Sequence, residues 1–150
     1  MMRSLLALTI GAALAAGCGL SSRAIEYSDQ RTDAAGKTFA VTPGKANIYV
    51  YRDQAYMGET PLEVVLDERW SANTAGQTFF VVEVDTGTHL LRSRGDTEST
   101  LELYAAPGQN LFVWLQVSPS VITVRGRMEL KDEAEGKAAV LRCRRVGAFE

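Results

Sequence analysis

From residue 46 onward the apolar residues return at every second position, and the runs they form end at turn signals. In ANIYVYR, Ile48 and Val50 fall on one side and Tyr49 and Tyr51 on the other. That period is the pleat of a β-strand. It recurs in LEVVL (Leu62, Val64, Leu66), TLELY (Leu101, Leu103) and NLFVWLQV (Leu111, Val113, Leu115, Val117). In VITVRGRMEL, Ile122, Val124, Met128 and Leu130 oppose Thr123, Arg125, Arg127 and Glu129, as on a sheet with one wet face. QTFFVVEV is apolar on both faces through Phe80, which predicts a central strand. Between the runs lie TPG (42–44), GETP (58–61), DTG (85–87), GD (95–96), APG (106–108) and SPS (118–120), turn chemistries spaced as in sandwiches and barrels.

One stretch departs from this period. KDEAEGKAAVLRCRR places Ala134, Ala138 and Leu141 at helical spacing, acids first and bases last, an order that suits the helix macrodipole. Gly136 costs such a helix about 1 kcal/mol relative to alanine, so the segment reads as a brief helix or as one that gives way to a last strand. The expected fold is all-β in the main: an antiparallel β-sandwich of about seven or eight strands with a short C-terminal helix.

The first residues carry a different message. A basic start (MMR), an apolar run from Leu5 to Ala16 and a small-residue AAG precede Cys18, the layout of a secretory signal. The run is too short for the roughly 20 residues that cross a bilayer. LAAGC resembles the lipobox of bacterial lipoproteins, in which a peptidase cuts before the cysteine and the sulfur takes diacylglycerol. The resemblance implies lipid attachment at Cys18, with diacylglycerol and an N-acyl chain (palmitate among the fatty acids) as a membrane anchor and no other cofactor. An ordinary secreted protein cut after an A-x-A-like site is the alternative. Gly19, rather than aspartate, follows the cysteine, which by the same resemblance favours the outer membrane over the inner. The expected organisation is a signal peptide at 1–17, a lipidated tether at 18–36, small and polar, and a domain at 37–150. Without residues 1–17 the chain has three more acids than bases, giving no attraction for nucleic acid. Lipid on Cys18 would leave Cys143 as the other of the two cysteines, with no internal disulfide open to it.

GKANIYVYR (44–52), GQTFFVVEVDTGTH (76–89), APGQNLFVWLQV and DEAEGKAAV together resemble a domain of unknown function found in small Gram-negative lipoproteins, with a G-K-A-x-I-Y-V-Y-R opening strand and a P-G-x-H-like turn. GETPL followed by TGTHLL is similar to the PEGA-type and carboxypeptidase-regulatory-like β-sandwich modules of cell envelopes. The first family has no established activity, the second are display or spacer modules, and both resemblances point away from an enzyme. Residues 67–76 (DERWSANTAG) differ from the shorter glycine turn of that pattern and read as a polar loop.

The candidate chemistry is sparse. His89, the only histidine, follows a turn, where an imidazole serves as a general base or bonds a backbone carbonyl. No activated serine setting accompanies it, and one histidine with one spare thiol falls short of a zinc set. No catalytic or metal residue is therefore assigned. The acids Asp53, Glu59, Asp67, Glu68, Glu83 and Asp85 cluster near strand ends, where a carboxylate pair could hydrolyse a glycoside. Cys143, flanked by Arg142, Arg144 and Arg145, is either an activated thiol or a buried spacer. Tyr49, Tyr51, Phe112 and Trp114 lie opposite the aliphatic face. They form either a partner-binding surface or a face covered by the helix, the tether or a second sheet. Trp70, in the polar loop, is a further candidate contact. These features favour a non-catalytic binding or structural module of the envelope, lipid-anchored and facing the periplasm, that meets a protein partner through strand edges or the aromatic face. The alternative is a periplasmic hydrolase using His89 or a carboxylate pair.

Overall fold

The alternating runs become the strands of a β-sandwich. The computed structural model describes residues 24–122 and 124–150, so the signal sequence and Cys18 lie outside the described residues. In chain order the elements are α1 (Gln30–Gly36), β1 (Ala46–Arg52), β2 (Leu62–Leu66), β3 (Trp70–Thr74), β4 (Thr78–Val84), β5 (Gly87–Arg94), β6 (Ser99–Ala105), β7 (Asn110–Pro119), β8 (Val124–Lys131), α2 (Glu133–Arg142) and β9 (Arg144–Arg145). One sheet runs β8-β7-β1-β4-β9 and the other β3-β2-β5-β6. Pairing is antiparallel except for β1–β7 and β4–β9, which are parallel.

Between the sheets lies the main core, built from Ile48, Val50, Leu62, Val64, Phe80, Leu91, Leu111, Val113 and Leu115. In β8, Val124 and Met128 are buried, whereas Ile122 precedes the strand and Leu130 nears its end, both exposed. The strand outruns the core at its C-terminal end.

The five-stranded sheet also carries an apolar outer face, and a second cluster forms there from Tyr49, Tyr51, Phe79, Phe112, Ala139, Val140 and Cys143. The helix α2 supplies the cover. Asp132 caps it by accepting from Glu135 N at 2.9 Å, and Glu133 and Glu135 lie in its first turn with Arg142 in its last, as the macrodipole favours. A Cβ at Gly136 would stand 2.2 Å from Phe112 Cγ. The glycine thus trades helix propensity for close contact between helix and sheet.

Residues expected to be tether are docked on the domain. Asp29 caps α1 by accepting from Thr32 N at 2.8 Å. Arg145 N donates to Asp33 Oδ1 at 2.7 Å, and Arg145 Nη1 to the Thr32 carbonyl at 3.0 Å. The C-terminal tail binds both sheets: Val146 N donates to Phe79 O, and Phe149 exchanges two 2.8 Å bonds with Ser71 on β3. Gly147 N donates to Glu26 O at 2.8 Å, which ties the N-terminal segment to the tail.

Arg52, wholly buried at the end of β1, donates from Nη1 to Thr60 O at 2.8 Å and from Nη2 to Met57 O. It thereby closes the 53–61 loop onto the sheet.

Two substitutions test this packing. Gly136→Ala should lower unfolding stability by about 1–3 kcal/mol through overpacking, although helix propensity alone predicts a gain of about 1 kcal/mol; urea melts distinguish the two signs. Arg52→Met should cost about 1 kcal/mol or more, since the loop loses two hydrogen bonds from a charged donor, each worth about 1.5–3 kcal/mol, while Met57 O keeps its bond from Thr60 N; the same melts measure it.

Candidate functional site

The aromatic face is covered. Tyr49, Tyr51 and Phe112 are each no more than 2% exposed. Tyr49 stacks on Phe112 with centroids 5.0 Å apart, Phe39 lies against both rings, and Tyr49 Oη donates to Gly36 O at 2.9 Å. Burial pushes the Tyr49 phenol up to about 12. Trp114 is half-buried, with its indole N–H donating to Asp53 Oδ1 at 2.9 Å and Lys131 Nζ 4.8 Å over its ring. Of the two readings of these four rings, the covered one is the structure's, and they offer no open contact surface.

Cys143 packs into the same cluster. Burial pushes its thiol up to about 12, with the charge of Asp53 adding to the effect. The flanking arginines do not activate it, and the buried-spacer reading holds.

Trp70 does not sit in a loop. DERW turns the chain through Asp67 and Glu68, both in the left-handed region with φ of 53° and 54°, and Trp70 opens β3 opposite Leu66. Aspartate is among the few non-glycine residues that visit this region readily; glutamate is not, so the hairpin lacked its usual Asn-Gly or Asp-Gly signal. The Trp70 ring packs partly against the main core, with the Arg69 guanidinium 5.4 Å from its centroid.

At this end of the sandwich the two sheets part, leaving a cleft of about 290 Å³ lined by Lys45, Asp67, Arg69, Trp70, Glu83, Val84, Asp85 and His89. It gathers the turn before β1, the β2–β3 turn, the end of β4 and the start of β5. His89 stands at its centre. Its Nδ1 lies 2.7 Å from Asp67 Oδ2 and its Nε2 lies 2.9 Å from Asp85 O. Both partners are acceptors, so both ring nitrogens donate and the geometry selects the imidazolium. Burial pulls the His89 pKa down, but the hydrogen bonds to Asp67 and to the Asp85 backbone, with the nearby carboxylate charges, outweigh it and leave the value raised above 6.5.

The carboxylates are likewise engaged. Asp67 Oδ1 accepts from Leu90 N at 2.9 Å. Asp85 pairs with Lys45, whose hydrogen bond and charge hold it below the usual carboxylate range. Glu83 accepts from Thr42 Oγ1. Arg69 pairs with Glu150. The remaining candidate acids lie elsewhere: Asp53 beside α2, Glu68 with Arg92 and Arg94, and Glu59 exposed in the 53–61 loop. Of the cleft residues, Lys45 and Arg69 escape sequence reasoning, because each becomes a neighbour of His89 only once the strand ends are brought together.

A general base needs a free lone pair on its ring, and His89 has none in this arrangement. A glycosidase acid needs a raised pKa, and Asp85 is shifted the other way. What the cleft does offer is a rigid set of donors and acceptors. Because His89 is the chain's only histidine, its titration can be read without assignment. The proton NMR midpoint should lie above 6.5 and fall in Asp67→Asn. The sign follows from linkage: a raised folded value means that the His89 contribution to stability is complete below about pH 6.5 and is lost as pH rises through the folded midpoint.

No family model matches the chain. Over 98 residues it is 24% identical to an uncharacterized protein of Haemophilus influenzae, a match that takes in 65% of this chain and 58% of that protein. The chain thus spans less than two thirds of the length of that relative, and the likeness brings no activity with it.

Proposed function

We propose that this chain is a lipid-anchored, non-catalytic binding module of the bacterial envelope, exported by residues 1–17 and held at the outer membrane through acyl chains on Cys18. The observation that carries the non-catalytic part is the doubly bonded His89 imidazole, which leaves no free imidazole lone pair in the cleft where histidine and carboxylates meet. The hydrolase reading gains the cleft and lacks the imidazole base. The lipid part is supported by the LAAGC motif behind a signal-like run, because stable anchoring takes two or more chains or signals and a lipobox cysteine supplies them in one residue. With the aromatic face covered, the surfaces open to a partner include the cleft and the β8 edge, which among the described residues pairs with β7 alone. Its outward Arg125, Arg127 and Glu129 are the charges that keep an edge strand from pairing indiscriminately.

Metabolic labelling with palmitate in a Gram-negative host should mark the wild-type protein and leave Cys18→Ala unmarked and released from the membrane fraction. Equal labelling of the two would overturn the anchor.

A further inference from the structure

We propose that the cleft between Trp70 and His89 binds an uncharged oligosaccharide, a ligand class that rests on the reading of this chain as a binding module. The first support is charge pairing. Lys45 is paired with Asp85 and His89 with Asp67 inside the cleft, and Arg69 is paired with Glu150. Each cation thus already has its acid, and an anionic ligand would have to break these pairs. A polyol does not. Each carboxylate has about four lone-pair sites, and lysine and arginine have several N–H donors, so paired groups keep free positions for hydroxyls that both donate and accept.

The second support is the wall. The part of the Trp70 indole that stays exposed, beside the Arg69 guanidinium 5.4 Å from its centroid, gives the cleft one weakly polar aromatic side. Aromatic surfaces of this kind hold the C–H faces of sugar rings at low entropic cost. Third, the lining is held in place before any ligand arrives. His89 joins the β2–β3 turn to the β4–β5 turn through Asp67 and the Asp85 carbonyl, and Asp67 N is bonded to Leu90 O at 2.9 Å. Such preorganisation lowers the ordering cost of binding. The cleft volume, about 290 Å³, sits near the lower bound of small-molecule pockets, and its open mouth lets a longer glycan enter and leave with one unit held inside.

The test uses the full-length protein purified in detergent, titrated with neutral tetrasaccharides (β-1,4-linked N-acetylglucosamine, cellotetraose and maltotetraose) and followed by calorimetry and tryptophan fluorescence. At least one should bind saturably, and Trp70→Ala should weaken it by about tenfold or more, while Trp114→Phe keeps both the affinity and the fluorescence response. Asp85→Asn, at an exposed position, provides a second variant that leaves the core untouched and should weaken binding in the same direction. No binding by any of the three sugars up to about 10 mM, binding unchanged in both cleft variants, or tighter binding of inorganic phosphate or a tetraglutamate peptide would each overturn the proposal. Failure here with intact palmitate labelling removes the ligand and leaves the anchor. Cleavage of a bound sugar, seen by mass spectrometry, would instead overturn the non-catalytic reading.

Discussion

A sheet that is apolar on both faces cannot be left with one of them in water. The strands β1, β4 and β7 present Ile48, Val50, Phe80, Val113 and Leu115 to the inter-sheet core, and Tyr49, Tyr51, Phe79 and Phe112 to the other side. The four-stranded sheet satisfies the first face. Segments outside the two sheets satisfy the second: α2 lies across Phe112 at Gly136, Phe39 closes over Tyr49, and α1 ends where Gly36 takes the tyrosine hydroxyl. Deep burial of Cys143 follows from the same requirement.

The covering layer also shapes the chemistry. By using the aromatic rings as core, it leaves polar strand ends as the place where side chains converge with room between them. There a carboxylate and a carbonyl hold the two nitrogens of His89 and fix its ring. Groups tied in this way present a preset geometry at low ordering cost.

The period of two located β1, β2, β6, β7 and β8, and the run apolar on both faces located β4, because burial on a pleated surface writes itself directly into the order of residues. Helix α2 was legible through its acids, bases and alanines. The elements that escaped lack such writing. Strand β3 (WSANT) is mostly small or polar and is turned by Asp67 and Glu68 without glycine, and α1 (QRTDAAG) is seven residues whose hold comes from Arg145, over a hundred positions away. The parallel pairing of β1 with β7 leaves no local trace either. For the cleft, His89 and its neighbouring acids were visible as candidates, while their pairing and the contribution of Lys45 and Arg69 depend on which strand ends meet. The sequence left the aromatic face open between two readings, and only the docking of α2 chose between them.

The docking of residues 25–36 sets a reach. Ile25 packs against the core and Glu26 bonds the tail, so on the proposed anchor only the steps from Cys18 to Ile25 are available as a leash. Seven extended steps span at most about 25 Å, less than the length the whole stretch to residue 36 would have given. A domain held that closely has a small search volume. On that anchor it would meet what lies within one protein diameter of the bilayer surface, at high effective concentration, and would not reach across to a distant layer of the envelope.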